Sequence, residues 1–516
     1  MSKIIQEYKE QIKYFFNNKK YMIAVLLVAI LSYGFAITHY SIGVDDLCFD
    51  RYINGTYILS AKRWGTWALY NIFRITEFSP FWLDLIVTIF MVVIAIIMSA
   101  FIRKQLGDKF KIGVYTIFAC LFISNPLSNH FYIYQSTNFA IVISNLIMIL
   151  CGIVAFENYF GDKKKILYLI CGVILTIPIS MYESCAQTYL VFMFIAILIK
   201  LKTSKVEKKE IIKYFALNIG VLVIGIALYY ILGAILIKIL KCLNKLEVNF
   251  AFMNVVWTNE IFKQQDFIGK MKILNSGLLQ LFIKDYFNYL PITIFGIASL
   301  MAIIIELVKS IKSNKVLPCL SVLGIILSNF IIMLIQGKIL YRIEFSIILS
   351  TAFLCTYIYM ELSNKNWKKY VLTIFLVWLI IIQTRTLNQY FYNDYKRYEK
   401  EKIVANDIAL NIIKNCDYKD KALIFVTTKE NKENRYRINH DNGELVFEWG
   451  IEAFREYETE ATKFINEQGY DFLSTSEENV KKAVEEYNQL TKEQKNQVIV
   501  ELSESIIIKL DYYNLF

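Results

Sequence analysis

Residues 81–102 read FWLDLIVTIFMVVIAIIMSAFI, with Asp84 the single charge. About 20 apolar residues, each rising about 1.5 Å, cross a hydrocarbon core of roughly 30 Å. Only helices or closed barrels satisfy their backbone polar groups in that core. Barrel strands are about 10 residues long and alternate in polarity, so an unbroken run of this length predicts a helix. The same reading applies at 21–38, 112–125, 139–157, 166–181, 185–200, 213–237, 290–308, 316–336, 343–362 and 370–385. The expected fold is an all-α polytopic membrane bundle of about eleven transmembrane helices, followed by a small C-terminal α+β domain.

Composition agrees. Of 516 residues 56% are hydrophobic and only 20% charged, with mean hydropathy +0.42, against nearer half apolar and a quarter charged in soluble domains. The net charge of +11 collects in short loops, where it sets topology, so no nucleic-acid partner is expected. The nine cysteines form no spaced framework, and His39, His130 and His440 are too dispersed for a multi-histidine metal site. Tyr21–Thr38 lacks a cleavage site and reads as a retained helix rather than a signal peptide.

Every second loop is basic. Lys3, Lys9, Lys13, Lys19 and Lys20 precede the first span, and Arg103, Lys104, Lys109 and Lys111 follow the second. Lys163–Lys165, Lys200–Lys209, Lys309–Lys315 and Lys365–Lys369 continue the pattern, whereas loops 126–138 and 182–184 hold no Lys or Arg. The expected orientation is a cytoplasmic N-terminus and an external C-terminal domain. Large external regions are then 39–80, 238–289 and 386–516. The second runs against the rule with seven lysines, including Lys238 and Lys241, and its alternation of apolar and basic residues suggests interfacial helices. The domains are 1–385, which spans the membrane, and 386–516. In the latter the helix of span eleven continues with Ile403, Ile408 and Ile412 on one side. Strands are expected at Ala422–Thr427, Leu445–Trp449, Gln497–Leu502 and Ser505–Leu510, and helices near 452–467 and 477–490.

Chemistry-bearing residues sit at the outer ends of spans. Asp45 and Asp46 follow the first span. Adjacent like charges raise one pKa, which suits general-base work, but a helix cap with a first-turn acid explains the pair as well. Lys62-Arg63-Trp64 offers an anion-binding fork beside an aromatic plate, or an interfacial anchor. Loop 126–138, with His130, Tyr132 and Gln135, is uncharged and rich in polar and aromatic groups, fit for sugar hydroxyls or for an aromatic belt. Tyr182-Glu183-Ser184 turns one hairpin. Arg342 and Arg385 are outer cations that either hold an anion or snorkel. Glu306 and Asp84 read as structural. No nucleotide-binding or hydrolase motif occurs in a credible context.

Gly43-Val44-Asp45-Asp46 after the first helix, Arg63-Trp64 in the same loop, the Tyr-x-Ser element at Tyr182–Ser184 and the α/β tail resemble the bacterial GtrII-type glucosyltransferases of the broader GT-C class. In that family Gln is common where this chain has Glu183. The resemblance implies a multi-pass plasma-membrane enzyme of GT-C fold. It would be an inverting transferase moving a sugar, often glucose, from undecaprenyl phosphate to a hydroxyl of a cell-envelope glycan. Asp45 or Asp46 would be the catalytic base, and Arg63, Arg342 or Arg385 would hold the donor phosphate. Trp64, His130, Tyr132, Gln135, Tyr182 and Glu183 would line the sugar and acceptor. No cofactor is required; a divalent metal is compatible but not indicated. The other readings are a transporter or flippase of lipid-linked glycans, which would favour acids at mid-span, and a polymerase using a diphosphate-linked donor.

Overall fold

The computed structural model describes residues 2–47, 49, 58–59, 61–75, 79–242, 265–279, 289–313, 315–336, 344–363, 365–426, 445–447, 459–510 and 513. The helices used below are α1 Ser2–Asn17, α2 Lys19–Thr38, α3 Val44–Leu47, α4 Trp64–Ile72, α5 Pro80–Leu106, α6 Ile112–Ile123, α7 Gln135–Phe160, α8 Lys165–Met181, α9 Cys185–Thr203, α10 Lys208–Cys242, α11 Phe267–Leu279, α12 Leu290–Ser313, α13 Leu317–Ser328, α14 Ile331–Gln336, α15 Phe345–Leu362 and α16 Asn366–Asn415. Among the described residues nine helical stretches are long and apolar enough to cross a membrane, and α8 and α13 are shorter apolar helices. In their described residues the eleven expected segments are mainly helical. Span 316–336 is divided, because the chain breaks helix at Asn329 and Phe330 between α13 and α14.

The molecule forms two compact units: Met1–Thr38, Arg51–Tyr132 and Thr137–Gln389 in one, His39–Asp50, Ile133–Ser136 and Tyr390–Phe516 in the other. In the first, α8 and α10 run side by side in one direction. Gly225 makes this approach possible: a Cβ there would stand 2.9 Å from Leu175 Cβ and 3.2 Å from the Gly172 carbonyl. Small residues allow such close passage, and dispersion then holds the pair where apolar burial adds little.

Helix α1 was not expected, although Ile5, Tyr8, Ile12 and Phe15 recur at helical spacing. Its Phe15 is buried, its Tyr8 hydroxyl donates to Glu157 at 2.8 Å, and Lys104 bridges Glu7 and Glu157 at 2.8 and 2.9 Å.

Stretch 124–138 departs from the expected exposed loop or aromatic belt. It folds as a 3-10 turn (Pro126–Ser128), a single helical turn (Asn129–Tyr132) and the start of α7, and it is buried throughout. Buried polar groups need partners. Asn125 accepts the Leu127 N–H at 3.0 Å, Ser124 donates to Gln383 at 2.9 Å, and Asn138 donates to Asp84 at 2.9 Å. The structural reading of Asp84 fits that bond. It also fits Glu306, which is 2% exposed and paired with Lys202 at 2.7 Å.

The second unit carries a four-stranded sheet of order β2-β1-β4-β3. β1 is Ala422–Val426, β2 Leu473–Ser474, β3 Ile499–Glu501 and β4 Ser505–Lys509. β1 pairs in parallel with β2 and β4, and β3 pairs antiparallel to β4. Helix Glu477–Gln489 covers it through Val480 and Ala483 against Ile424, Val500 and Ile507. Helix Thr459–Glu467 accounts for the described part of the expected 452–467, and the remainder lies outside the described residues. Two expectations fail here. Leu445–Phe447, the described part of the 445–449 strand, form a turn. The Val446 and Phe447 N–H groups donate to the Glu401 carboxylate, both at 2.9 Å, rather than to a strand. Ile403 is 57% exposed, whereas Ile408 and Ile412 are fully buried; five positions is not a helical repeat, and Val404, four before Ile408, takes the inner place.

Candidate functional site

The expected site residues gather in two constellations, one in each unit. In the sheet-bearing unit α3 starts at Gly43, whose carbonyl accepts the Leu47 N–H at 3.4 Å. Asp46, at the third helical position, reaches back to the Gly43 N–H at 3.1 Å, the acidic half of a capping box. Its other oxygen accepts the Ser136 N–H at 2.8 Å. Asp46 is 2% exposed. Burial pushes its carboxyl up to about 7, the two N–H bonds pull it back, and neighbouring Asp45 adds to the rise. The capping reading of the pair fits Asp46, which closes the first turn of α3. Asp46 ties segments 43 and 136 together, and Asp45 is half-buried beside it. Gln135, buried at the start of α7, adjoins Ser136.

In the helical unit α4 lies against the ends of α8 and α10. Gly65 permits this: a Cβ there would overlap the Ser180 hydroxyl and stand 2.9 Å from the Met181 nitrogen. Thr66 donates to the Met181 carbonyl at 2.8 Å, and the Trp64 indole N–H donates to the Tyr229 carbonyl at 3.3 Å. Arg63 and Trp64 thereby meet Tyr182 and Glu183. The Arg63 guanidinium lies 4.4 Å over the Tyr182 ring, and its Nε is 3.8 Å from Glu183 Oε2. The Tyr229 hydroxyl donates to Glu183 Oε1 at 2.9 Å. Burial pushes the Glu183 carboxyl up to about 7, and Arg63 and the tyrosine bond oppose it. This is a planar cation held between an aromatic face and a titratable acid, a geometry suited to an anionic oxygen.

A hollow of about 390 Å³ opens beside it, lined by Leu59, Lys62, Trp64, Tyr230, Ile237, Lys238 and Lys241 among others. Lys62 holds left-handed backbone at φ 58°, uncommon for a side-chain-bearing residue.

The other expected site residues lie elsewhere. His130 bonds the Tyr289 hydroxyl. Tyr132 stacks on Tyr33 with ring centroids 4.6 Å apart and shares a 2.8 Å hydrogen bond with Thr88; both residues are buried. Arg385 lines a different hollow on α16, with Leu31 and Asn388. Arg342 lies outside the described residues. Among the described residues no three His, Cys, Asp or Glu side chains gather as metal ligands.

Sequence reasoning missed Tyr229, whose role follows from the register of α10 on α8. It also missed the Gln187 amide, which donates to Glu344 at 2.9 Å and to the Asn329 carbonyl at 2.7 Å. Buried Arg397, bonded to Asp394 at 2.7 Å, was legible in principle: Asp394, Arg397 and Glu401 are spaced by three and four on a helix.

No curated protein and no solved structure matches the chain. A family model, Glucosyl transferase GtrII, matches residues 34–359, well over half the chain and a stretch that holds both constellations. With that coverage, and with the acidic pair and the Arg63-Trp64 element inside it, the chain belongs to the GtrII glucosyltransferase family.

Proposed function

We propose that this chain transfers glucose from undecaprenyl phosphate to a hydroxyl of a cell-envelope glycan, on the outer face of a bacterial plasma membrane and with inversion at the anomeric carbon. The observation that carries the reading is the carboxylate pair at the end of the first span, in which Asp46 is locked by two backbone N–H groups and Asp45 is left half-buried beside it. Asp45 is the base. It takes the proton of the acceptor hydroxyl as that oxygen bonds the anomeric carbon. The bond from that carbon to the phosphate oxygen breaks in the same step, and the lipid phosphate leaves with the electron pair. A phosphate monoester has its second pKa near 6, so its departure needs no strong general acid. The family resemblance assigns the charge that develops on it to Arg63, Arg342 or Arg385. Asp46 is a positioning residue. The basic loops support a cytoplasmic N-terminus, which sets the Asp45 end of the first span and the 386–516 domain outside.

The test is sugar analysis of the envelope in a strain lacking the gene, complemented with wild type or Asp45→Asn at equal membrane levels. The expected result is loss of one glucosyl side chain in the deletion and in the variant, with restoration by wild type. An unchanged glycan in the deletion strain would refute the reading.

A further inference from the structure

Helix α1 crosses the ends of the spans instead of extending one of them. Asn18 separates it from α2: its N–H donates to the Phe15 carbonyl at 3.1 Å, and its side chain accepts the Tyr21 N–H at 3.1 Å, which caps α2. The Phe15 and Tyr21 rings are 4.6 Å apart. Residues at that separation point to different sides of an unbroken helix, so the axis turns at Asn18. The partners of α1 all lie near span ends. Glu7 pairs with Lys104, Tyr8 donates to Glu157, the Arg103 guanidinium lies 3.7 Å over the Tyr14 ring, and Phe15 meets Tyr115, early in α6, at 5.7 Å. From Glu7 to Tyr14 helix α1 advances about 10 Å, whereas its partners on α5, Lys104 and Arg103, are consecutive. α1 therefore runs across α5 at the depth where the spans leave the hydrocarbon.

Its faces differ. Tyr8 and Phe15 are buried against the bundle, whereas Ile5 and Phe16 are 60% and 55% exposed. With half-buried Ile12, Ile5 and Phe16 form a stripe within about 40° of arc at the usual helical repeat. Lys9 and Lys13, both exposed, follow the border of this stripe on the side away from the bundle. The exposed acid Glu10 lies beyond them and accepts from Gln6 at 3.4 Å. An apolar stripe bordered by lysines is the pattern of a helix lying at the level of lipid headgroups. Topology accounts for lysines near the first span, but not for their alignment along exposed Ile and Phe.

We propose that the outer face of α1 binds acidic phospholipid: Ile5, Ile12 and Phe16 enter the acyl boundary, and Lys9 and Lys13 attract the anionic headgroups. The partner is a lipid surface and not a soluble anion, because only acyl chains cover the stripe. The inner face couples this contact to the bundle. Glu157 accepts the Tyr8 hydroxyl at 2.8 Å and the Gln105 amide at 2.7 Å and pairs with Lys104 at 2.9 Å, so lipid that holds α1 in place also steadies the ends of α5 and α7. This lipid contact holds whether or not the chain transfers glucose.

The experiment places the full chain in nanodiscs of phosphatidylcholine and phosphatidylglycerol in equal parts, with the photo-cross-linker p-benzoylphenylalanine at Ile12 or Phe16, and identifies lipid adducts by mass spectrometry. The reference is the same cross-linker at Ile30, 67% exposed in the middle of α2. Phosphatidylglycerol should exceed phosphatidylcholine among the adducts at Ile12 and Phe16 and match it at Ile30. Lys9→Gln and Lys13→Gln should each lower that excess about fivefold, roughly the worth of one cation near an anionic lipid surface, and Lys9→Arg and Lys13→Arg should keep it. Phosphatidylglycerol should also raise the Tm of the wild type more than that of the Lys9→Gln/Lys13→Gln variant. Melting in phosphatidylcholine alone verifies that every labelled or substituted protein is folded. An absence of lipid adducts at both Ile12 and Phe16 would overturn the interfacial placement. An adduct ratio equal to that at Ile30, or an excess that survives in the double variant, would overturn the preference for acidic lipid.

Discussion

Replacing Asp46 by Asn should change how stability depends on pH, by an amount that follows from its surroundings. Each carboxylate oxygen accepts one backbone N–H, from Ser136 at 2.8 Å and from Gly43 at 3.1 Å. Burial nevertheless carries the group from 3.8 to about 7. An acid whose pKa is higher folded than unfolded holds its proton longer in the native state. Its contribution is therefore greatest below about 4 and is lost as pH rises to about 7, about 4 kcal/mol in all. Between pH 5 and pH 8 the wild type should lose about 3 kcal/mol through this residue. Asn does not titrate. It matches one N–H with its oxygen and turns its NH₂ toward the other, a constant penalty of about 1–3 kcal/mol. The gap between wild type and Asp46→Asn should thus narrow, or reverse, from pH 5 to pH 8. Melting followed by intrinsic fluorescence in detergent should show the difference in Tm shrinking by about 3 °C over that interval. A Tm difference that is the same at both pH values would refute the argument that a buried, proton-holding carboxyl links residues 43 and 136.

Other outcomes follow from the same geometry. Asp45→Asn should lower kcat by about 10²–10⁴-fold with Tm unchanged; full activity would remove Asp45 as the base. Gly65→Ala should cost about 1–3 kcal/mol, because its Cβ meets the Ser180 hydroxyl and the Met181 backbone. The control Gly220→Ala, with nothing within 4 Å of its Cβ, should be neutral or stabilising by up to about 1 kcal/mol; equal effects would discount the close approach of α4. Glu183, pushed up to about 7, ionises as pH rises through neutrality and then competes with a phosphate for Arg63. The wild-type donor KM should rise from pH 6 to pH 8, and that of Glu183→Gln should stay flat. A pH-independent wild-type KM would sink the competition.

The spans were legible because a run of twenty apolar residues has few other solutions. Their ends were not, since helix continues where the membrane stops. α10 runs to Cys242, past the expected end at 237, whereas the expected continuation of the last span as a helix is met by α16, which runs to Asn415. Leu445–Phe447 failed as a strand because alternation cannot foresee that the Glu401 carboxylate will take the N–H groups of Val446 and Phe447. In the site, Arg63-Trp64 and Tyr182-Glu183 were visible as motifs, but their meeting depends on Gly65 and on the register of α10 against α8. Loop 126–138 was misjudged because an uncharged polar run looks alike at a surface and inside a bundle. The absence of Lys and Arg there was the available clue, since long cations seldom enter a packed interior.

Charge in this chain therefore carries two messages that a single rule mixes. Lys19, Lys20, Arg103, Lys104 and the later basic loops alternate with uncharged loops, and together they state topology. Lys62, Arg63, Lys238 and Lys241 are among the cations that break that alternation. Had they been scattered, snorkelling would suffice. Instead the three lysines line one hollow, and Arg63 beside them is aligned by Tyr182 and Glu183. Cations that are out of place for topology need an explanation other than the charge bias of loops. The exceptions to the positive-inside pattern are thus more informative about chemistry than the residues that obey it.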